Sequence, residues 1–227
     1  MWLGAQGKRV LVTGATSGIG RATAVRFLEC GAHVVFSGRN AQVLAEIKAS
    51  YASTDHCERV ATVAADLASV EQCRKLVASA CTALPGGEID ILVNNAGVLP
   101  RLGMSIESTT MEEYTTTMDV NLRAPFLVLQ ECIKSKRMPP GSSVVNVGSL
   151  AAIRPLPNLT VYSMSKCGLE ALTKCAALEL AGRGIRVNAI NPATGDVKSV
   201  TCQQMQGTVD VATHIVQTES AGIPVFL

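Results

Sequence analysis

Tyr162 and Lys166 stand four positions apart in the run VYSMSKCG, so on a helix a phenol and an ammonium share one face. A free phenol titrates near 10. Making it a proton donor and acceptor near neutrality takes about 4 kcal/mol of stabilisation of its anion. A lysine charge about 4 Å away, in a medium of effective dielectric near 20, supplies about that much. The pair alone is common, and is more often a surface tyrosine beside a solvated lysine. Two further residues give it company: the hydroxyl of Ser149 in VVNVGSL and the carboxamide of Asn121 in DVNLRAPF. A phenol, an ammonium, a second hydroxyl and an amide suit proton transfer to or from an oxygen atom.

Those side chains need elements to hold them. Residues 143–147 read as a buried strand, which leaves Ser149 just past its carboxyl end. Residues 162–181 read as a helix, and 111–136 as a long helical region interrupted at Pro125. Further short apolar runs at 10–12, 33–36, 59–64, 89–93 and 186–190 alternate with helical patterns, among them 40–51, where Val43, Leu44 and Ile47 recur at helical spacing. Ser69 followed by Gln72 has the form of a capping box opening another helix. Unbroken apolar strands alternating with helices imply an α/β fold with a doubly wound parallel sheet, its ligand crevice at the strands' carboxyl ends. No repeat or linker divides the chain, so 1–227 is expected to be a single domain.

The first strand–helix junction is the strongest local signal. Val10, Leu11 and Val12 end abruptly in Thr13-Gly14, and Gly14, Gly18 and Gly20 bring the backbone into an amphipathic stretch containing Ala22, Val25, Phe27 and Leu28. Glycines let a backbone approach a pyrophosphate, and a helix N-terminus offers it free N–H groups. An ordinary strand-to-helix loop uses the same residues. In dinucleotide folds the end of the second strand meets the adenosine ribose, where an acid binds the 2′-hydroxyl and an arginine suits a 2′-phosphate. Here that strand ends Phe36-Ser37-Gly38-Arg39-Asn40, without an acid. Arg39 therefore points to NADP(H), with NAD possible, unless it is only a solvated residue opening a helix.

The TGATSGIG loop, the Asn94-Asn95-Ala96-Gly97 turn, the ordered set Asn121, Ser149, Tyr162, Lys166 and the pair Asn191-Pro192 together resemble the short-chain dehydrogenase/reductase family, over residues 8 to about 192. The resemblance implies a nicotinamide-dependent oxidoreductase acting on a carbonyl or secondary alcohol, with Asn121, Ser149, Tyr162 and Lys166 as the catalytic tetrad. Tyr162 would exchange the proton and Ser149 would steady the substrate oxygen. Lys166 would also hold the nicotinamide ribose, and Asn121 a water linking Lys166 to solvent. It further implies a cofactor site formed by Gly14, Thr16, Ser17, Gly18, Ile19, Gly20, Arg39, Asn40, Asp66, Leu67, Asn94, Ala96, Gly97, Tyr162, Lys166, Pro192 and Thr194, Asp66 meeting the adenine. The family commonly reads Pro-Gly-x-Val-x-Thr where this chain has Pro192-Ala193-Thr194-Gly195-Asp196-Val197, so Thr194 is the hydroxyl left for the carboxamide contact. Asp210–Ala212 resembles the start of the family's last helix and 221–225 the approach to its last strand, with the usual Asp-Gly-Gly ending missing.

Composition narrows the rest. A net charge of +2 argues against nucleic acid, and 48% hydrophobic residues with 4% aromatic fit a large aliphatic core. None of the eight cysteines forms a C-x-x-C pair, so neither a zinc site nor a disulfide framework is expected. With no signal-like leader and no spanning apolar run, the expectation is a reduced, cytoplasmic protein that does not enter membranes. Leu99, Pro100, Arg101, Leu102 and the 150–159 loop are expected to line the substrate pocket; Arg101 and Arg154 either attract an anionic substrate or are solvated surface residues. Leu169, Leu172, Ala176 and Leu180 form an apolar stripe suited to a homo-oligomer contact. Family members associate through such helices and through a final strand; with little chain after Pro192, a dimer is favoured over a tetramer. The rival to an enzyme is a catalytically silent NADP(H)-binding or interaction protein of the same fold with a truncated C-terminus.

Overall fold

The computed structural model describes residues 4–99, 101 and 105–192. Six parallel strands run through them: β1 (Arg9–Val12), β2 (His33–Gly38), β3 (Val60–Ala64), β4 (Ile91–Asn94), β5 (Ser143–Val147) and β6 (Arg186–Ile190). Their order across the sheet is β3-β2-β1-β4-β5-β6. In β1 Val12 lies opposite Phe36 on one side and Val93 on the other. The order reverses between β1 and β4, and a doubly wound sheet opens its ligand crevice outside the carboxyl ends at such a point.

Six α-helices cover the faces: α1 (Gly18–Glu29), α2 (Ala41–Ser50), α3 (Val70–Ala83), α4 (Met111–Met118), α5 (Ala124–Lys134) and α6 (Thr160–Ala181). Alternate strand residues feed two cores. Val10, Val12, Val34 and Phe36 pack with Ala24 and Leu28 of α1 and Leu44 and Ile47 of α2. Leu11, Val35, Leu92 and Val144 pack with Leu76 and Val77 of α3, Leu127 and Val128 of α5, and Ala176 and Leu180 of α6. Burial on both faces is why these strands carry no polar alternation.

Several local expectations change in three dimensions. Ser69 caps α3 by accepting from the Gln72 N–H, but the Gln72 side chain accepts from the Asp66 N–H instead of reaching back to Ser69. The reciprocal capping box forms at Thr110 and Glu113, at the head of α4. The long helical region is broken before Pro125, by a π-helical turn over Asp119–Arg123. Of the expected stripe, Leu169, Ala176 and Leu180 are buried within this chain and only Leu172 is half-buried. The exposed stripe of α6 is Met164, Ala171, Cys175 and Leu178. No helix among the described residues is long and apolar enough to cross a membrane.

Candidate active site

The carboxyl ends of the strands open into one cleft of about 530 Å³. Its first wall is the β1–α1 loop. Gly14 and Gly18 adopt φ of +65° and +53°, the left-handed region that favours glycine. A Cβ on Gly14 would lie 2.8 Å from the Ala96 Cα, and one on Gly20 would overlap the Gly14 carbonyl and the Asn95 amide. Asn95 clasps this loop, its Nδ2 donating to the carbonyls of Thr13 (2.9 Å) and Gly14 (3.1 Å). Thr13 Oγ1 in turn accepts from the Asn95 and Ala96 N–H groups. Ser17, the N-cap of α1, makes no side-chain capping bond, which leaves the first-turn amides to a ligand. A close-packed glycine cradle with uncapped amides fits a pyrophosphate.

Gly14, Thr16, Ser17, Gly18 and Ile19 line this end of the cleft, with Arg39, Asp66 and Leu67 further along and Ala96 and Gly97 opposite. Gly20 supports the cradle from behind, and Asn40 is spent as the N-cap of α2, accepting from the Val43 N–H. Asn94 is buried and donates to Asn146 Oδ1 at 2.9 Å, so it ties β4 to β5 and does not line the cleft. Thr194 and the expectations placed on 195–225 lie outside the described residues, as do Pro100 and Leu102.

The other end of the cleft gathers Ser149, Tyr162, Lys166 and Pro192, with Leu99 and Val120 beside them. Lys166 is 4% exposed, and its Nζ donates to the Val147 carbonyl at 2.8 Å and lies 5.8 Å from the centre of the Tyr162 ring. Burial pushes its ammonium down from 10.5 to about 8. Ser149 Oγ accepts from the Ala151 N–H, which leaves its own O–H to donate into the cleft.

Asn121 is wholly buried and its carboxamide fully engaged: Oδ1 accepts from the Val98 N–H, and Nδ2 donates to the Val98 carbonyl and to Ser165 Oγ. The Ser165 hydroxyl donates onward to the Tyr162 carbonyl. The side chain thus pins the π-turn to the β4 loop and α6. Pro125 has no N–H, so it gives the Asn121 main-chain carbonyl no α-helical bond. Gly97 stands between: a Cβ there would lie 3.4 Å from Asn121 Oδ1 and 3.5 Å from Lys166 Nζ. Arg101 is engaged elsewhere, in an ion pair with Glu113 that holds this carboxyl down at about 2.

The sequence profile of the short chain dehydrogenase family matches residues 8–206. The chain belongs to that family. It is 41% identical over 185 residues to dehydrogenase/reductase SDR family member 4 of Homo sapiens, covering 82% of this chain and 65% of that one. It thus spans just under two thirds of that relative. It is 40% identical over 194 residues to the L-xylulose reductase of Mesocricetus auratus, covering 85% of this chain and 73% of the relative. Among solved structures, a short chain dehydrogenase from Burkholderia cenocepacia in complex with NADP superposes with a TM-score of 0.74 at 34% identity, over 85% of this chain and 76% of that one.

The short chain dehydrogenase fold also recruits residues that motif reading passed over. Asn146 links Asn94 to Thr173 of α6, its Nδ2 donating to Thr173 Oγ1 at 2.9 Å. An amide inside the apolar run VVNV was its only signal. Ser165 and Glu170 had none, because Asn121 and Asn191, which they meet, are distant in sequence; Asn191 was marked only as half of the Asn191-Pro192 pair, not for its side chain.

Proposed function

We propose that this short chain dehydrogenase is an NADP(H)-dependent oxidoreductase that interconverts a ketone or aldehyde and its alcohol, with Tyr162 as proton donor and acceptor. The observation that carries the reading is the placement of a buried ammonium, Lys166, in one cleft with the Tyr162 phenol, the Ser149 hydroxyl and a glycine cradle. When bound, the nicotinamide supplies or accepts the hydride.

The chain's own residues handle the oxygen. Ser149 donates a hydrogen bond to it and holds it toward Tyr162, which delivers the proton in the reductive direction. Lys166 stabilises the negative charge that Tyr162 then carries. A water on the Asn121 main-chain carbonyl returns the proton from solvent by way of Lys166. With an ammonium at about 8, Lys166 is charged near neutrality yet close enough to its midpoint to pass a proton.

The preference for NADP(H) rests on two neighbours. Arg39 is exposed at the rim and has no ion pair with the described residues. At position 38 a Cβ would lie 2.6 Å from Thr16 Cγ2, so the carboxylate that would hold a 2′-hydroxyl enters only if the Thr16 side chain gives way. The same family member solved with NADP supports this choice by similarity. The exposed α6 stripe Met164, Ala171, Cys175 and Leu178 is the face we propose for self-association as a dimer.

The test is Tyr162→Phe, assayed by NADPH consumption with a panel of diacetyl, a ketose and a steroid ketone. The unmodified chain should turn over at least one of them. The variant should lose 10²–10⁴-fold in turnover, as is typical for removing a general acid, and keep its NADPH affinity. Tight NADPH binding without turnover of any carbonyl, or full activity in the variant, refutes the proposal.

A further inference from the structure

Three consecutive amides after β5 are all taken by residues 190–192. The Gly148 N–H donates to the Ile190 carbonyl at 2.7 Å and the Leu150 N–H to the Pro192 carbonyl at 3.0 Å. Between them the Ser149 N–H donates to a side chain, the Oδ1 of Asn191, at 2.8 Å. The other half of that amide donates from Nδ2 to Glu170 Oε1 at 2.7 Å. Glu170 lies one turn beyond Lys166 on α6. The fit is close: a Cβ on Gly148 would overlap Asn191 Oδ1.

We propose that Glu170 and Asn191 are a latch that positions Ser149, and that the carboxylate sets its direction. A carboxylate only accepts, so it holds the Asn191 NH₂ toward itself and turns the oxygen toward Ser149. With the amide reversed, two acceptors would face each other at Glu170 and two donors at Ser149. The latch joins the ends of β5 and β6 to α6, the element that carries Tyr162 and Lys166. Ser149 and the phenol are thereby held in one frame. Neither Glu170 nor Asn191 lines the cleft, so both act through Ser149. The inference rests on the catalytic reading of Ser149 given above.

Glu170→Gln keeps an acceptor for Asn191, whereas Glu170→Leu removes it at similar size. With the full chain, NADPH and the carbonyl of the panel that turns over fastest, Glu170→Leu should lower kcat about tenfold. Its KM and NADPH affinity should stay within about twofold, and Glu170→Gln should remain near the unmodified chain. Asn191→Asp sets two carboxylates against each other, so the fall of its kcat with rising pH should begin at lower pH than in the parent, and acidification should recover it. Independently of turnover, the Ser149 amide should exchange with deuterium faster in Glu170→Leu than in Glu170→Gln. Equal kcat in the two Glu170 variants, or an Asn191→Asp profile that falls at the same pH as the parent, overturns the latch. Ser149→Ala is the reference: loss of turnover there with none in Glu170→Leu overturns the latch alone. Full turnover in Ser149→Ala overturns the reading on which it rests.

Discussion

Lys166→Met should make the protein more stable while disabling the site. In the folded chain the ammonium is 4% exposed and pushed from 10.5 to about 8 by desolvation. That fall corresponds to about 3 kcal/mol of penalty on the charged form. Methionine is of similar length and carries no charge. It also leaves the Val147 carbonyl without its donor, at a cost of about 1 kcal/mol. The net gain is about 2 kcal/mol, or about 4–8 °C in Tm for a chain of this size. The sign depends on pH. Below about 8 both folded and unfolded chains hold the lysine proton, so the folded protein bears the full penalty. Between about 8 and 10.5 the unfolded chain binds the proton and the folded one does not, so the parent gains stability as pH rises. The advantage of Lys166→Met should therefore be largest at pH 7 and shrink toward pH 10. Thermal unfolding of both proteins without cofactor across that range is the assay. A variant less stable than its parent at neutral pH, or a difference that does not change with pH, refutes the account of a charge buried for its chemistry.

The remaining expectations concern the cofactor end. Arg39→Ala should weaken NADPH by about 1.5–3 kcal/mol and leave NADH nearly untouched, as fluorescence titration of each would show. Gly38→Asp alone should weaken both cofactors because the new side chain meets Thr16, and Thr16→Gly in the same chain should restore NADH selectively. Asn95→Ala removes both donors that clasp the Thr13 and Gly14 carbonyls; the protein should lose about 1–2 kcal/mol in chemical unfolding and bind either dinucleotide more weakly. Unchanged dinucleotide affinity there would show that the loop holds its shape without the clasp.

Local pattern alone carried the sheet, the glycine turn and the helix bearing Tyr162 and Lys166. Each rests on interactions within a few residues: apolar runs such as Val10–Val12, glycines where the backbone turns, and a phenol and an ammonium one helical turn apart. The family resemblance added Asn121 and Ser149, and Ser149 does line the same cleft as Tyr162 and Lys166. Tertiary structure decided how the groups are used, because their partners lie far along the chain. Asn94 has the look of a cleft residue, but Asn146 of the neighbouring strand claims its amide. The Asn121 carboxamide, which the resemblance offered as a catalytic group, is consumed by Val98 and Ser165. The apolar stripe Leu169, Ala176 and Leu180 reads the same whether a partner or the sheet covers it, and here the chain's own core does. Hydrophobic periodicity reports that a face is buried, not by what. The Ser149–Asn191–Glu170 contacts were equally invisible in sequence, because a polar side chain's spacing says nothing of the strand end that folds against it.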